Sequence, residues 1–428
     1  MTALHSLTGG ANVGVLPTVD ALPSMRRMVL LLTAGTLALW ITALACFALL
    51  PPAYADPCGI ALGLAGLFAA VPAGGGWIAL ARQRRLQTGA PDLYNECNAS
   101  RDEAAVSAGA VPHWSFLRRW VARRVFGHRY LVGDRVRVKG LAAIRATLDQ
   151  QGRLNGMPFM QEMAAYCGSE MGVYRVVDKI YDYGKSRLMR SVDESVLLIG
   201  LRCDGSEHGG CQAACYLIWK ADWLEPVYAR EPSEAVQPSV APAPTAPSVQ
   251  GRYHCQYTDL ADASRPTLDW RRIVGPWIVG NVTISAFAVA MMTRAFNALQ
   301  SRRGGICYPW QPLAGNDKSL TGTPLRSGDW VRVCTSAQIA RSLDKNSKNK
   351  GLWFDRDMLK HCGQTYRVRG RVDKIIDVNS GTMIPMKTAC IMLEGVHYSG
   401  EFQVFGEQHD FLYWREAWLE PVAQPHSG

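Results

Sequence analysis

The hydrophobic pattern of the N-terminal region is set by two long runs without charge. Between Met28 and Ala81 the only formally charged residue is Asp56. The runs Met28–Leu50 and Gly59–Ala81 are each 23 residues long, and about 20 helical residues cross a hydrocarbon core. Pro51, Pro52 and Pro57 lie between them and stop a helix. This pattern predicts a transmembrane helical hairpin over residues 26–85, preceded by a tail of residues 1–25. Arg26 and Arg27 on one flank and Arg82, Arg84 and Arg85 on the other place both ends in the cytoplasm by the positive-inside bias, making the chain an integral membrane protein with its bulk cytoplasmic. A competing reading takes Met25-Arg26-Arg27, the first apolar run and Ala53-Tyr54-Ala55 as a secretory signal with its cleavage site.

Further along, residues 115–129 can be drawn as a helix with Phe116, Leu117, Trp120, Val121 and Val125 on one side and Arg118, Arg119 and Arg123 opposite, Arg124 intruding on the apolar arc. Beside two spans, these four arginines suit anionic lipid. A helix packed on its own domain with solvated arginines explains them equally well. Residues Ile273–Thr293 form a third uncharged run of 21, flanked by Arg271, Arg272 and Arg294. Its Gly275-Pro276, Asn281, Thr283 and Ser285 make it more polar than the first two, and the expectation is a helix within residues 268–303 that packs on the second repeat or lies in the interface.

The rest of the chain is organised by a duplication. Gly133–Val227 aligns with Gly328–Val422 at a constant offset of 195 without gaps, with 30 of 95 positions identical. Alternation in Val136-Arg137-Val138 and Val331-Arg332-Val333, and the apolar runs Val173–Tyr181 and Ser195–Leu201, read as strands. Ala142–Asp149 and the Phe159–Met163 region read as short helices. Units of this length are self-contained domains rather than solenoid turns. The predicted class is therefore α+β: the hairpin, then two homologous β-rich, SH3-like domains over residues 110–227 and 326–422. A Pro/Ala-rich linker joins them over residues 228–252.

Composition narrows this picture only a little. With 428 residues, 48% hydrophobic and 19% charged, the chain is neither disordered nor coiled-coil throughout. A net charge of +10 suits anionic surfaces, but no nucleic-acid-binding module accompanies it, so nucleic acid ranks below lipid and protein as a partner.

Candidate chemistry concentrates in the first repeat. Cys203, His208, Cys211 and Cys215 fall within 13 residues, with Gly205, Gly209 and Gly210 between them. Three thiols and an imidazole can enclose tetrahedral zinc; disulfides or simple packing are the other readings. At the equivalent positions the second repeat has Tyr398, Gln403, Gly406 and Asp410, so the fold does not need the cluster. Cys167 and Cys362 read as small buried hydrophobes, and Asp178, Asp182, Asp373 and Asp377 as strand-end turn caps. Trp219 with Trp223, and Trp414 with Trp418, are spaced i, i+4. They either close the barrel end or form an aromatic shelf for a partner. No phosphate-loop, metalloprotease, nucleophile-elbow or dinucleotide fingerprint is present.

The second repeat, with GDWVRV, IARSLDKN, GLWFDRDM, HCG, RVDKIID and YWREAWLEPV, resembles a group of bacterial proteins to which no activity is attached, and the resemblance extends over Leu268–Val422. It implies that the equivalent of Ile273–Thr293 does not span a membrane. Two function classes follow: a membrane-anchored tandem-module binding or scaffold protein for a protein partner, or a membrane-bound metal- or thiol-dependent enzyme using the Cys/His cluster.

Overall fold

The computed structural model describes residues 26–27, 29–39, 41, 52–98, 103–108, 116–182, 186, 188–227, 251–266, 271–305, 307–309, 315, 317, 322–403 and 405–424. The N-terminal tail and nearly all of the Pro/Ala-rich linker fall outside these residues.

Each repeat folds into a five-stranded antiparallel sheet. In the first, β1 (Arg135–Val138), β2 (Glu170–Tyr181), β3 (Met189–Arg202), β4 (Tyr216–Lys220) and β5 (Leu224–Pro226) take the order β4-β3-β2-β1-β5. In the second, β6 (Trp330–Val333), β7 (Thr365–Ile376), β8 (Met383–His397), β9 (Phe411–Trp414) and β10 (Leu419–Pro421) take the order β9-β8-β7-β6-β10. Even the irregularities are copied. The β2–β3 ladder shifts register between Val173 and Arg175 and again between Val177 and Lys179, and β7–β8 does so between Val368 and Gly370 and between Val372 and Lys374. The retained apolar positions explain this duplication: Val136, Val173, Val177 and Ile144, like Val331, Val368, Val372 and Ile339, are buried in their respective cores.

The tryptophans complete those cores. Trp219 lies near the end of β4 and Trp223 in a 3₁₀ turn; Trp414, at the end of β9, and Trp418 repeat the arrangement, and all four are fully buried. Phe159 meets Trp223 edge-on at 5.2 Å and Phe354 meets Trp418 at 5.3 Å. The indole N–H of Trp223 donates to Thr147 and that of Trp418 to Ser342. No ring face is left for an aromatic shelf.

The expected transmembrane hairpin is not supported: residues 42–50 of its first span lie outside the described residues, and among the described residues no helix is long and apolar enough to cross a membrane. The expectation of an integral membrane protein falls with it. The second apolar run lies within α1 (Pro52–Thr88), and Trp77 on that helix donates to Thr33 in helical residues 29–39, so the two runs do meet. The C-terminal half of α1 is a packing surface. A Cβ on Gly75 would lie 2.1 Å from the Met292 carbonyl, and one on Gly76 would crowd Val29 and Phe296. Arg82, at the end of the run, is buried between Asp92 and Glu401. Small residues and a compensated buried charge are what close helix packing inside a protein requires; length and apolarity alone did not distinguish this from a span.

The third run breaks into α4 (Arg271–Val279) and α5 (Ile284–Arg302), with Thr283 capping α5 by accepting from Ala286 N–H. It packs against both repeats rather than the second alone. Ile278 and Val279 join the first core, Phe296 joins the second, and Asn281 pairs with both backbone groups of Val176 on β2.

The repeats grip each other reciprocally through equivalent positions, as the halves of an isologous dimer do. Glu407 accepts from the backbone N–H groups of Asp178 and Lys179 at 2.6 and 3.0 Å. Gln212, its equivalent at the 195-residue offset, accepts from those of Asp373 and Lys374 at 2.6 and 3.1 Å. In both directions an arm from one repeat satisfies backbone donors that the bulge in the other repeat's long strand frees from the ladder.

Candidate metal centre in the first repeat

Cys203 follows directly on β3, and the chain then turns sharply. Gly205 and Gly209 take φ of 76° and 60° around a 3₁₀ turn, Ser206–His208. A Cβ on Gly205 would sit 2.0 Å from the Cys211 carbonyl oxygen, so this turn needs glycine. Asp204 caps the turn by accepting from Ser206 N–H. The result brings His208 back over Cys203, with Nδ1 3.7 Å from Sγ. From the other side, the 3₁₀ helix Gln161–Tyr166 supplies Glu162, whose Oε1 is 3.7 Å from His208 Nδ1. The three ligand atoms all lie within 4.8 Å of one another, a group that could hold a metal ion.

The Glu162 carboxylate is the informative member. It is nine-tenths buried, neither oxygen has a hydrogen-bond partner, and burial raises its pKa while His208 pulls the other way. A buried carboxylate without a partner is costly. The second repeat shows how that cost is met there. The equivalent Asp357 accepts from Lys360 Nζ at 2.8 Å and from the Ser399 hydroxyl at 2.8 Å. At the Lys360 position the first repeat has Ala165, so the cation is missing and a thiol and an imidazole face the carboxylate in its place.

Of the four ligands expected from spacing, Cys203 and His208 are thus brought together, while Cys211 and Cys215 stand outside the close group. Cys211 Sγ accepts from Ile376 N–H of the second repeat at 3.4 Å. Both thiols nevertheless line the small cavity that Glu162, Cys203 and His208 border, together with Cys255 from the segment after the linker. Burial raises the thiol pKa of Cys203 and Cys215, and that of Cys255 to about 11. Ten cysteines, Cys203, Cys211, Cys215 and Cys255 among them, are free, and none of these ten forms a disulfide. Glu162 and Cys255 escaped the sequence reading because both lie far from the cluster along the chain. The one available signal was the carboxylate shared by Glu162 and Asp357 at the repeat offset.

On its far side this region opens into a largely apolar cavity of about 150 Å³. Cys211, Cys215 and Cys255 face Tyr257, Asp410 and Tyr413 across it, and Tyr257 donates to Asp410 at 2.8 Å.

The remaining candidates are engaged in structure. In α3 (Phe116–Arg124), Arg119 and Arg123 pair with Asp134, and Arg118 donates to the Trp277 and Ile278 carbonyls. Arg124 is exposed. The apolar side of this helix faces outward instead, with Phe116 85% exposed. Cys362 is buried in the second core, whereas Cys167 is half-buried at the edge of the first. Asp182 and Asp377 cap turns through Ser186 and Ser380. Asp178 instead faces His128 at 3.3 Å, and Asp373 pairs with Arg371. No family profile, curated protein or solved structure matches the chain.

Proposed function

We propose that this chain is a zinc-dependent tandem-module binding protein, in which Glu162, Cys203 and His208 hold the ion and the joined repeats act as one unit toward a protein partner. Thiolate and imidazole donors favour zinc over magnesium or calcium. The observation that carries the reading is the buried Glu162 carboxylate faced by Cys203 and His208, where the other repeat uses Lys360. Bound zinc would fix the Cys203–Cys215 loop, the same loop that grips β7 through Gln212 and the Gly209 carbonyl, which accepts from Lys374 at 2.8 Å. Metal binding would in this way couple to the contact between the modules.

A second reading, a metal-dependent enzyme, is favoured by the three-residue ligand set, because such a set leaves a coordination position open to water or substrate, here beside the apolar cavity. The same proteins separate the two. Full-length protein expressed with zinc and desalted is expected to carry about one zinc per chain by elemental analysis, and Ala165→Lys, which installs the second repeat's solution, is expected to fold without it. Wild-type protein free of zinc, or an Ala165→Lys variant that keeps it, would overturn the assignment. Hydrolysis of test esters that disappears with the metal would favour the enzyme; an inert zinc protein would favour the binding module.

A further inference from the structure

On the opposite side of the contact between the repeats lies a polar cavity of about 350 Å³. Arg175 from β2 enters it from the first repeat, Lys360 and His361 from a 3₁₀ helix of the second, His397 from the end of β8 and His409 from the loop before β9, with Tyr94 of α2 (Leu93–Asn98) closing one wall. The charge balance in this cavity is incomplete. Lys360 is neutralised by Asp357 at 2.8 Å, and Glu96, the one acidic side chain among the described residues of the lining, pairs with Arg85 at 2.5 Å. Arg175 is buried, its nearest electrostatic neighbours are the tyrosines Tyr174, which also hydrogen-bonds it, Tyr94 and Tyr216, and its Nε finds no acceptor. Two further buried ring nitrogens, Nε2 of His361 and Nε2 of His397, also have no partner. The other nitrogen of His361 meets the Tyr366 hydroxyl at 2.7 Å, leaving Nε2 as its free position.

A buried guanidinium with no carboxylate paired to it among the described residues is expensive, and three buried nitrogens without a partner, on residues that line one cavity from both repeats, call for an explanation. We infer that this cavity is an anion site, built to take a tetrahedral oxyanion of the phosphate type carried on a small molecule. A guanidinium fork matches phosphate oxygens. Donors arriving from separate elements suit a group with three oxygens better than a planar carboxylate. The volume exceeds that of a bare oxyanion and falls in the range of small-ligand pockets, about 300–1,000 Å³. Burial and the surrounding cations lower the pKa values of His361, His397 and His409, so they enter as neutral donors and their protonation would follow an arriving dianion. Such a ligand would touch both repeats and tie them together. The site shares no residue with the Glu162 group and stands whether or not that group binds metal.

The test uses desalted full-length protein titrated with inorganic phosphate and with phenyl phosphate, by calorimetry and by ³¹P line broadening. Sodium chloride at matched ionic strength and sodium acetate serve as controls. The expected result is saturable binding of at least one phosphate probe, weakened by at least about tenfold in Arg175→Met and partly kept in Arg175→Lys. Should Arg175→Met fail to fold, His397→Phe takes its place, with weaker phosphate binding again expected. Wild-type protein that shows no saturable response to either phosphate, that binds acetate equally well, or whose folded variants bind phosphate unchanged would overturn the assignment.

Discussion

Replacing Glu407 separates two roles that one carboxylate performs. Its Oε2 accepts from the backbone N–H groups of Asp178 and Lys179, its Oε1 accepts from Asn281 at 3.0 Å, and it lies 3.8 Å from the Lys179 ammonium. Both side chains are out of solvent, at 0% and 1% exposure. Gln212, in the equivalent place, shows that an amide oxygen can accept both backbone bonds. Glu407→Gln therefore keeps the two backbone bonds, loses the bond from Asn281 because its amide nitrogen stands where Oε1 accepted, and removes the charge opposite Lys179, and breaking a buried pair in this way costs about 3–5 kcal/mol. Glu407→Ala also orphans buried donors, each at about 1–3 kcal/mol, so it is expected to cost at least about 2 kcal/mol more than the glutamine. Gln212→Ala is expected to cost about 1 kcal/mol or less, since its strand donors border solvent. Adding Lys179→Met to Glu407→Gln removes the stranded cation and is expected to recover at least about 2 kcal/mol. Urea unfolding followed by tryptophan fluorescence, to which the four buried core tryptophans contribute, reads wild type and all four variants. If Glu407→Gln stays within about 1 kcal/mol of wild type, the pair is uncharged in the folded protein and the argument from charge fails.

Two further expectations concern ionisation. Burial, with Asp357 beside it, pushes the Asp355 carboxyl up to about 7, against about 3.9 in the unfolded chain. The folded state thus holds this proton more tightly. Its stabilising contribution is complete below about pH 3.9 and is lost as pH rises through about 7, up to about 4 kcal/mol in all. Asp355→Asn keeps the cap to Asp357 N–H, and thermal melts from pH 4 to 8 should show its advantage over wild type growing across that window. Asp178 and Asp410, both raised to about 6, act in the same direction and His128, lowered to about 4, in the opposite one, but they are common to both proteins and cancel. A constant difference would refute the assignment. Burial also holds the thiols of Cys215, Cys255, Cys334 and Cys362 in the protonated form. Alkylation at pH 8 mapped by mass spectrometry should find them at least about 100-fold slower in folded than in unfolded protein; equal rates would contradict their burial.

The duplicated sheets were legible because what the repeats share is core. Val173, Val177, Trp219 and Trp223 have counterparts in kind and position, and alternation marks the strands between them. The clasp was not legible, since Gln212 and Glu407 read as polar loop residues until the bulges at Lys179 and Lys374 show which backbone donors they serve. The apolar runs misled for a related reason. Periodicity cannot tell a lipid-facing glycine from one pressed against Met292, and the partners of Arg82, Asp92 and Glu401, are 10 and 319 residues away. The Cys/His spacing was half informative: Gly205 and Gly209 fold His208 onto Cys203 but send Cys211 to the second repeat. Duplication itself sharpens the rest. Where two copies of one fold keep a buried carboxylate, Glu162 and Asp357, but only one keeps the lysine that balances it, the copy without the lysine must find another cation or pay for the burial. That asymmetry, visible as Ala165 against Lys360 once the fold shows that Lys360 meets the Asp357 carboxylate, locates the chemistry that distinguishes the first repeat from the second.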